Sequence, residues 1–207
     1  MDSYSNLHPW YGMPKNTLSV TQCPAQEGNR GKEILNNHMR LLWEQHVYWT
    51  RMFLISVAFD LANKEFVTNR LLQNPKDFQA SLIPFYGREI ASKFEELLTA
   101  HFVIAAELVN AAKEGDTTAA TDAEKRWYQN ADQIAQFLSE INPFWSMKVW
   151  QKMLYTHLAL TKEEAVNILT QQYETSITDF DKIEKQALEM ADMMTKGMIQ
   201  QFPDYFY

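Results

Sequence analysis

From Lys32 onward, the sequence is built of long segments in which apolar residues recur every three or four positions. This interval places apolar side chains along one face of an α-helix, whereas a half-buried β-strand alternates at every second residue. The alternating pattern does not occur in the sequence. The first apolar face comprises Leu35, Met39, Leu42, Trp49, Met52, Phe53 and Phe59. An all-α protein is therefore predicted, with one face of each long helix buried.

Four long helices and two short ones are predicted. The long helices cover about 32–63, 86–113, 121–141 and 161–203, and the short ones lie after Asn74 and at about 145–158. The connection over 114–120 is short, which makes the second and third long helices antiparallel neighbours. We therefore expect a single four-helix bundle with one or two extra short helices.

The predicted helix ends come from local signals. Asn74 followed by Pro75 is typical of a helix start, and Gly115 and Pro143 are typical of helix ends. Capping boxes, in which a Thr and a Glu three residues later satisfy each other's backbone N–H groups, occur at Thr121–Glu124 and Thr161–Glu164. Both are predicted to open long helices.

The two ends of the chain differ in amino-acid composition from the predicted bundle over 32–203. Residues 1–31 are rich in Gly and Pro and are predicted to form an extended or disordered arm, and residues 204–207 an aromatic tail. The terminal aromatic residues are Trp10, Tyr11, Phe202, Tyr205, Phe206 and Tyr207. Because aromatic surface is costly to expose, we expect these side chains to dock on the bundle, on a second copy in a homo-oligomer, or on another protein.

Charge and composition exclude several partners. The net charge is −7 and Lys and Arg are not clustered, which argues against nucleic acid and anionic membrane surfaces as partners. No apolar run approaches the roughly 20 residues of a membrane span, and the N-terminus lacks the pattern of a secretory signal. The single Cys23 cannot form an intramolecular disulfide. Cytoplasmic residence is the default expectation.

Common catalytic motifs are missing from the sequence. Nothing matches the glycine-rich GxxxxGK or GxGxxG phosphate loops, and there is no GxSxG nucleophile elbow. Adjacent carboxylates such as Glu95 and Glu96 point in different directions on a helix and do not form a catalytic pair. An enzyme is therefore the least supported class.

Several polar residues nevertheless occupy apolar faces. His46 and His101 lie on the apolar lines of the first and second long helices, Asn130 on the third and Tyr173 on the fourth. Buried polar groups need hydrogen-bond partners. We therefore predict an internal polar cluster of these four residues, with Glu44 and Arg51 at its edge. The cluster either fixes the register of the helices or lines a pocket for a small molecule.

A metal site at the same residues is an alternative to the polar cluster. Helical bundles usually hold metal with a carboxylate and a His three or four residues apart, and none of the five histidines has Asp, Glu, His or Cys at those offsets. A transition-metal ion would have to be coordinated by His46 and His101 from two different helices, with Glu44 as a further ligand. Hydrogen-bonded core imidazoles are favoured over that arrangement, and no cofactor is predicted.

Four segments carry a resemblance to a known family. They are LLWEQHVYWTRMFLISVAFDL (41–61), FEELLTAHFVIAAELVNAAKEGD (94–116), RWYQNADQIAQFLSEINPFWS (126–146) and ALEMADMM (187–194). Over residues 33–203 the chain resembles a family of small helical proteins from Gram-positive, spore-forming bacteria, some of which are labelled acetylglutamate kinase. The resemblance implies a helical bundle and a spore-related role. It implies no catalytic residues, since amino-acid kinases are α/β proteins with glycine-rich loops.

Two functional hypotheses follow. The first is a non-catalytic bundle that acts by self-association or by binding a partner through its aromatic termini. The alternative is a bundle that binds a metal ion or a small ligand at the internal polar cluster, analogous to ferritin-like bundles in fold alone.

Overall fold

The computed structural model describes residues 24–206 of the 207-residue chain, with side chains from residue 28 onward. Within that range it contains six α-helices, one short 3-10 helix and no strand, so the all-α prediction is confirmed. The helices are α1 (Pro24–Ala58), α2 (Lys64–Leu71), α3 (Asn74–Glu114), α4 (Thr117–Ile141), α5 (Met147–Leu169) and α6 (Tyr173–Gln201), followed by the 3-10 helix (Pro203–Phe206).

The five long helices form a closed circuit of neighbours. In this circuit α1 packs on α6, α6 on α5, α5 on α4, α4 on α3 and α3 on α1, while the short α2 packs mainly on α1. The circuit differs from the four long helices predicted, because α5 extends from 147 to 169 as one long helix. No helix within residues 24–206 combines the length and apolar character required to cross a membrane.

The core that these helices enclose consists of two clusters. The larger one includes Phe78, Phe94, Trp127, Trp145 and Trp150. The smaller one lies where α2 packs on α1 and includes Phe53, Leu71 and Phe102. The smaller cluster adjoins the cavity described below, and these three side chains help to line it.

Helix α3 joins two elements that were predicted separately. It starts at Asn74, as the Asn74-Pro75 signal predicts, and it ends before Gly115, whose φ of 75° is left-handed. Between these ends, Gly87 has φ 77° and ψ 167°, which breaks the helical path shortly after Pro84. Glycine adopts a positive φ without steric cost. The predicted short helix after Asn74 is therefore the first part of a kinked α3.

Both predicted capping boxes are wrong as helix starts. Helix α4 begins at Thr117, where the side chain of Asp116 accepts hydrogen bonds from the backbone N–H groups of Thr118 and Ala119. Helix α5 runs straight through Thr161–Glu164. In that segment Thr161 and Glu164 are buried, and Glu164 forms an ion pair with Arg51 of α1, so both residues lie in the interior of α5 and not at a cap.

The first helix also departs from its predicted bounds. It ends at Ala58 and not near 63, and it begins at Pro24, inside the segment predicted as an extended arm. Pro is well suited to the first position of a helix because it has no N–H to leave unpaired. The rest of the predicted arm, including Trp10 and Tyr11, lies outside the described residues.

The C-terminal aromatic residues fold back on their own chain. The ring of Phe85 lies 5.6 Å from Phe202, 5.1 Å from Tyr205 and 6.3 Å from Phe206, measured between centroids. Phe206 is only 5% exposed, and the hydroxyl of Tyr205 donates to the carbonyl of Pro84 at 3.1 Å. Phe206 is therefore packed within its own chain and is not offered to a partner, while Tyr207 lies outside the described residues.

Candidate functional site

Three buried histidines from three different helices line a single cavity. His46 comes from α1, His101 from α3 and His157 from α5, and the cavity has a volume of about 250 Å³. Most of the remaining wall is apolar. It includes Phe53, Leu54, Leu71, Phe102, Ala105, Ala106, Leu108, Val109, Trp127 and Ala165.

The cavity reaches solvent at one end of the helical circuit. Its lining includes exposed residues at the end of α3, the start of α4 and the end of α5, namely Ala112, Thr117, Thr121 and Val166. Glu124 and Lys162, which also line it, form an ion pair with an N–O distance of 2.6 Å between α4 and α5. The opening is therefore polar, and the interior is apolar apart from a few specific groups.

Two of the histidines are hydrogen-bonded to each other. The Nε2 atoms of His46 and His157 lie 3.1 Å apart, and Nδ1 of His157 lies 3.0 Å from Oε1 of Gln186. The amide nitrogen of Gln186 donates to the carbonyl of Met153, which leaves Oε1 as an acceptor. His157 therefore carries its proton on Nδ1, and His46 donates from Nε2 to the free lone pair of His157.

The third histidine has a similarly defined proton position. Nδ1 of His101 lies 2.8 Å from Oδ1 of Asn130, and the indole N–H of Trp127 donates to His101 Nε2 at 3.1 Å. Asn130 uses its amide nitrogen to donate to the carbonyl of Leu97, so its oxygen accepts. His101 is therefore neutral with its proton on Nδ1, and both of its ring nitrogens are satisfied.

Burial keeps all three imidazoles uncharged at neutral pH. It lowers the pKa of His101 from its ordinary value of 6.5 to about 3, and that of His157 to about 4, although hydrogen bonds to Asn130 and Gln186 favour protonation. Burial also lowers the pKa of His46 well below 6.5, and the neighbouring His157 and His101 lower it further. The cavity wall is thus polar at these positions without being charged.

Two buried polar atoms among the cavity-lining residues make no hydrogen bond to any described residue. They are Nδ1 of His46 and the hydroxyl oxygen of Thr161. Thr161 follows His157 by four residues on α5, so the two side chains lie on the same helix face. His157 bonds His46, and all three residues line the cavity.

The structure assembles part of the predicted polar cluster. His46, His101 and Asn130 are buried as expected, at 6%, 3% and 3% exposure. Tyr173 is not in the cluster, because α6 begins at this residue and the side chain is 46% exposed, with its ring 5.9 Å from that of Phe59. Glu44 is also outside the cluster. It lies two residues before His46 on α1, which places its side chain on a different helix face, and it is exposed to solvent.

Arg51 belongs to a different buried polar group. It forms an ion pair with Glu164 of α5 and donates to the carbonyl of Ser176 on α6, and its guanidinium lies 5.1 Å from the ring centroid of Phe180. Burial raises the pKa of Glu164 to about 7, and the neighbouring Arg51 limits that rise. This group ties α1 to α5 and α6 and is separate from the imidazole cluster.

Sequence reasoning missed His157, Gln186 and Thr161. His157 precedes Leu158 in a segment predicted as a short helix ending there, and Thr161 was assigned to a cap. Extending α5 through both residues would have placed them on one face. Gln186 was detectable by the criterion that found Asn130, since it lies on the apolar face of α6 between Ile183 and Met190.

His46 and His101 line the same cavity, but Glu44, the third predicted metal ligand, does not. Within residues 24–206, no group of three or more His, Cys, Asp or Glu side chains is placed to hold a metal ion. Nε2 of His46 and both ring nitrogens of His101 and His157 are engaged in hydrogen bonds. Of the proposed metal ligands His46, His101 and Glu44, the carboxylate is on the surface. The residues present suit hydrogen bonding better than coordination.

Comparison with known proteins adds no further assignment. The sequence matches no family model, and it has no significant match among curated proteins or among solved structures. The resemblance to small helical proteins of spore-forming bacteria stays a prediction, and the functional argument depends on the geometry of the cavity.

Proposed function

We propose that this protein binds a small, uncharged and mostly apolar molecule in the cavity between α1, α3, α4 and α5. The observation that carries this proposal is the combination of a cavity of about 250 Å³ with an apolar wall and neutral imidazoles. Ligand pockets typically pair such apolar walls with a few polar groups that orient the ligand. The helical bundle then serves as a scaffold around the binding site.

The size of the cavity sets the size of the ligand. An apolar cavity of roughly 150 Å³ is enough to bind benzene. The cavity of about 250 Å³ is larger, so it accommodates a substituted aromatic ring or an aliphatic molecule of similar size. Charged ligands are disfavoured, because the cationic Lys162 at the opening is already paired with Glu124.

Binding is favoured over catalysis because the imidazoles are poorly suited to proton transfer. A general base works best with a pKa near the working pH, whereas the pKa values of His101 and His157 are about 3 and about 4. Their ring nitrogens are also committed to hydrogen bonds within the protein. The proposal is therefore a binding protein and not an enzyme.

Self-association and a spore-related role, which the sequence also predicted, stay predictions. The burial of Phe206 within its own chain reduces the support for association through the aromatic tail.

The proposal is tested by calorimetric titration of the full chain with p-xylene and p-cresol, two neutral aromatic probes. We expect saturable binding at one site for at least one of them. The variant Ala105→Phe fills the cavity from α3 and should weaken binding by more than tenfold, while Ala100→Phe, on the exposed side of the same helix, should not. Circular dichroism of each variant establishes that it is folded.

Two outcomes would contradict the proposed function. If neither probe binds to the full chain up to its solubility limit, the cavity is not a binding site for small neutral molecules. If the native protein instead carries stoichiometric metal that is lost in His46→Ala, the transition-metal alternative replaces this proposal.

A further inference from the structure

The unpaired polar atoms of the cavity wall specify more than its size and polarity. Within the described part of the chain, His46 Nδ1 and Thr161 Oγ1 are buried without hydrogen-bond partners. A buried polar group without a partner costs free energy, so native proteins rarely leave one unsatisfied. Both residues are only 6% exposed and both line the cavity, so a group inside the cavity can serve as their partner.

The hydrogen-bonding character of each atom follows from its neighbours. His46 uses Nε2–H to donate to His157, so its Nδ1 presents a lone pair and can only accept. The hydroxyl of Thr161 can donate and accept. Many helical threonines bond the carbonyl four residues earlier, as Thr156 does with Lys152 at 2.9 Å. Thr161 makes no such bond to a described residue and keeps its proton available.

We infer that the ligand carries a hydroxyl group that donates to His46 Nδ1 and accepts from the Thr161 hydroxyl. This inference rests on the proposed function and names the chemical class of the ligand, a neutral apolar alcohol or phenol. A ligand without a polar group would leave both wall atoms unsatisfied. A carboxylate would add a second acceptor opposite the His46 lone pair and bring a charge into a site with no free cation among the described lining residues.

The test compares three probes of similar shape, p-cresol, p-xylene and p-toluate, by calorimetric titration of the full chain. In a cavity without hydrogen-bonding partners p-xylene binds more tightly than p-cresol, because burial of an unpaired hydroxyl is costly. The inference predicts the reverse order for the native protein, with p-cresol bound roughly three- to tenfold more tightly than p-xylene. The anion p-toluate should bind more weakly than either.

A matched pair of variants assigns the effect to Thr161. Thr161→Val keeps the shape of the side chain and removes its hydroxyl, so the affinity for p-cresol should fall roughly three- to tenfold while that for p-xylene is unchanged. Thr156→Val removes an exposed hydroxyl of the same helix and should change neither affinity.

Each outcome decides between the two proposals. If p-xylene binds as tightly as p-cresol or more tightly, or if Thr161→Val weakens both probes equally, the hydroxyl inference is overturned while the binding function stands. If no probe binds, the proposed function fails and the inference falls with it.

Discussion

The Nε2 atoms of His46 and His157 lie 3.1 Å apart in the core and share a single proton, which joins α1 to α5. Each imidazole of this pair is neutral, because burial disfavours its charged form and lowers its pKa. His46 also stacks on Phe102, with 4.8 Å between ring centroids, so its orientation is held by packing as well as by the hydrogen bond. A proton added to Nε2 of His157 would remove the lone pair that accepts this hydrogen bond.

Stability should therefore fall as the pH is lowered below about 6.5. The pKa values of the three imidazoles are depressed in the folded state, to about 3 for His101 and about 4 for His157, so the unfolded state binds more protons between these values and 6.5. Each such histidine removes about 1.4 kcal/mol of stability per pH unit in that window. Urea unfolding between pH 7 and pH 4.5 measures the slope.

Glu164 has the opposite effect on the pH dependence of stability, so its substitution serves as a control for the histidines. Its pKa is raised to about 7, so between pH 7 and its unfolded value of 4.5 the folded state binds more protons and stability rises as the pH falls. Glu164→Gln should therefore make the acid-side loss of stability steeper by up to about 1.4 kcal/mol per pH unit. A pH-independent free energy of unfolding would contradict the assignment of neutral buried imidazoles.

Removal of Arg51 should destabilise the protein most at high pH. Arg51→Met leaves the Glu164 carboxylate buried without its cation, at a cost of about 1.5–3 kcal/mol at pH 8.5. The loss should shrink toward pH 5, where Glu164 is protonated. Arg40→Met on the same helix breaks an exposed ion pair with Asp192 and should cost less than about 1 kcal/mol. Equal losses in the two variants would contradict the buried pair.

Gly197 should not tolerate a side chain. A Cβ at this position would lie 1.9 Å from the indole nitrogen of Trp145, which packs directly on α6. Gly197→Ala should destabilise the protein by about 1–3 kcal/mol through overpacking. Gly31→Ala, where the Cβ would meet Phe206 at an ordinary 3.4 Å, should instead add up to about 1 kcal/mol of helix stability. Thermal unfolding of both variants distinguishes the two effects.

The C-terminal aromatic residues should contribute to stability within one chain. Phe206→Ala removes a buried ring and should cost about 1.5–3 kcal/mol without changing the mass measured by light scattering. Tyr205 is 60% exposed, so Tyr205→Ala should cost less. A lower mass for the Phe206 variant than for the native protein would show that the ring serves association instead.

The sequence predicted the class of fold from features that depend on local geometry. Long apolar faces at helical spacing indicated the helices, and Gly115 and the Asn74-Pro75 pair located two helix ends because a left-handed φ and a missing N–H act locally. The box at Thr161–Glu164 failed because α5 continues through it, with Thr161 buried and Glu164 paired with Arg51 of α1, and a local pattern does not contain these surroundings. The box at Thr121–Glu124 failed because Asp116 caps α4 earlier in the chain. The kink at Gly87 lies where the second long helix was predicted to begin, at about residue 86, and the sequence did not indicate that α3 continues across it.

The site was partly predictable. Polar residues on apolar faces correctly identified His46, His101 and Asn130 as buried, since position along a helix determines burial. The pairing of His46 with His157 depends on how α1 and α5 pack, and the sequence pattern does not encode that. Tyr173 and Glu44 were misplaced because one lies at a helix terminus and the other is rotated away from the core.

The most direct test of the account is a nuclear magnetic resonance spectrum of the imidazole nitrogens, recorded during a titration with p-cresol at pH 7. We expect neutral rings, with protons on Nε2 of His46 and on Nδ1 of His101 and His157. We also expect a saturable shift of His46 Nδ1 as p-cresol binds. Protonated rings at these positions, or imidazole signals that do not respond to p-cresol or p-xylene, would contradict it.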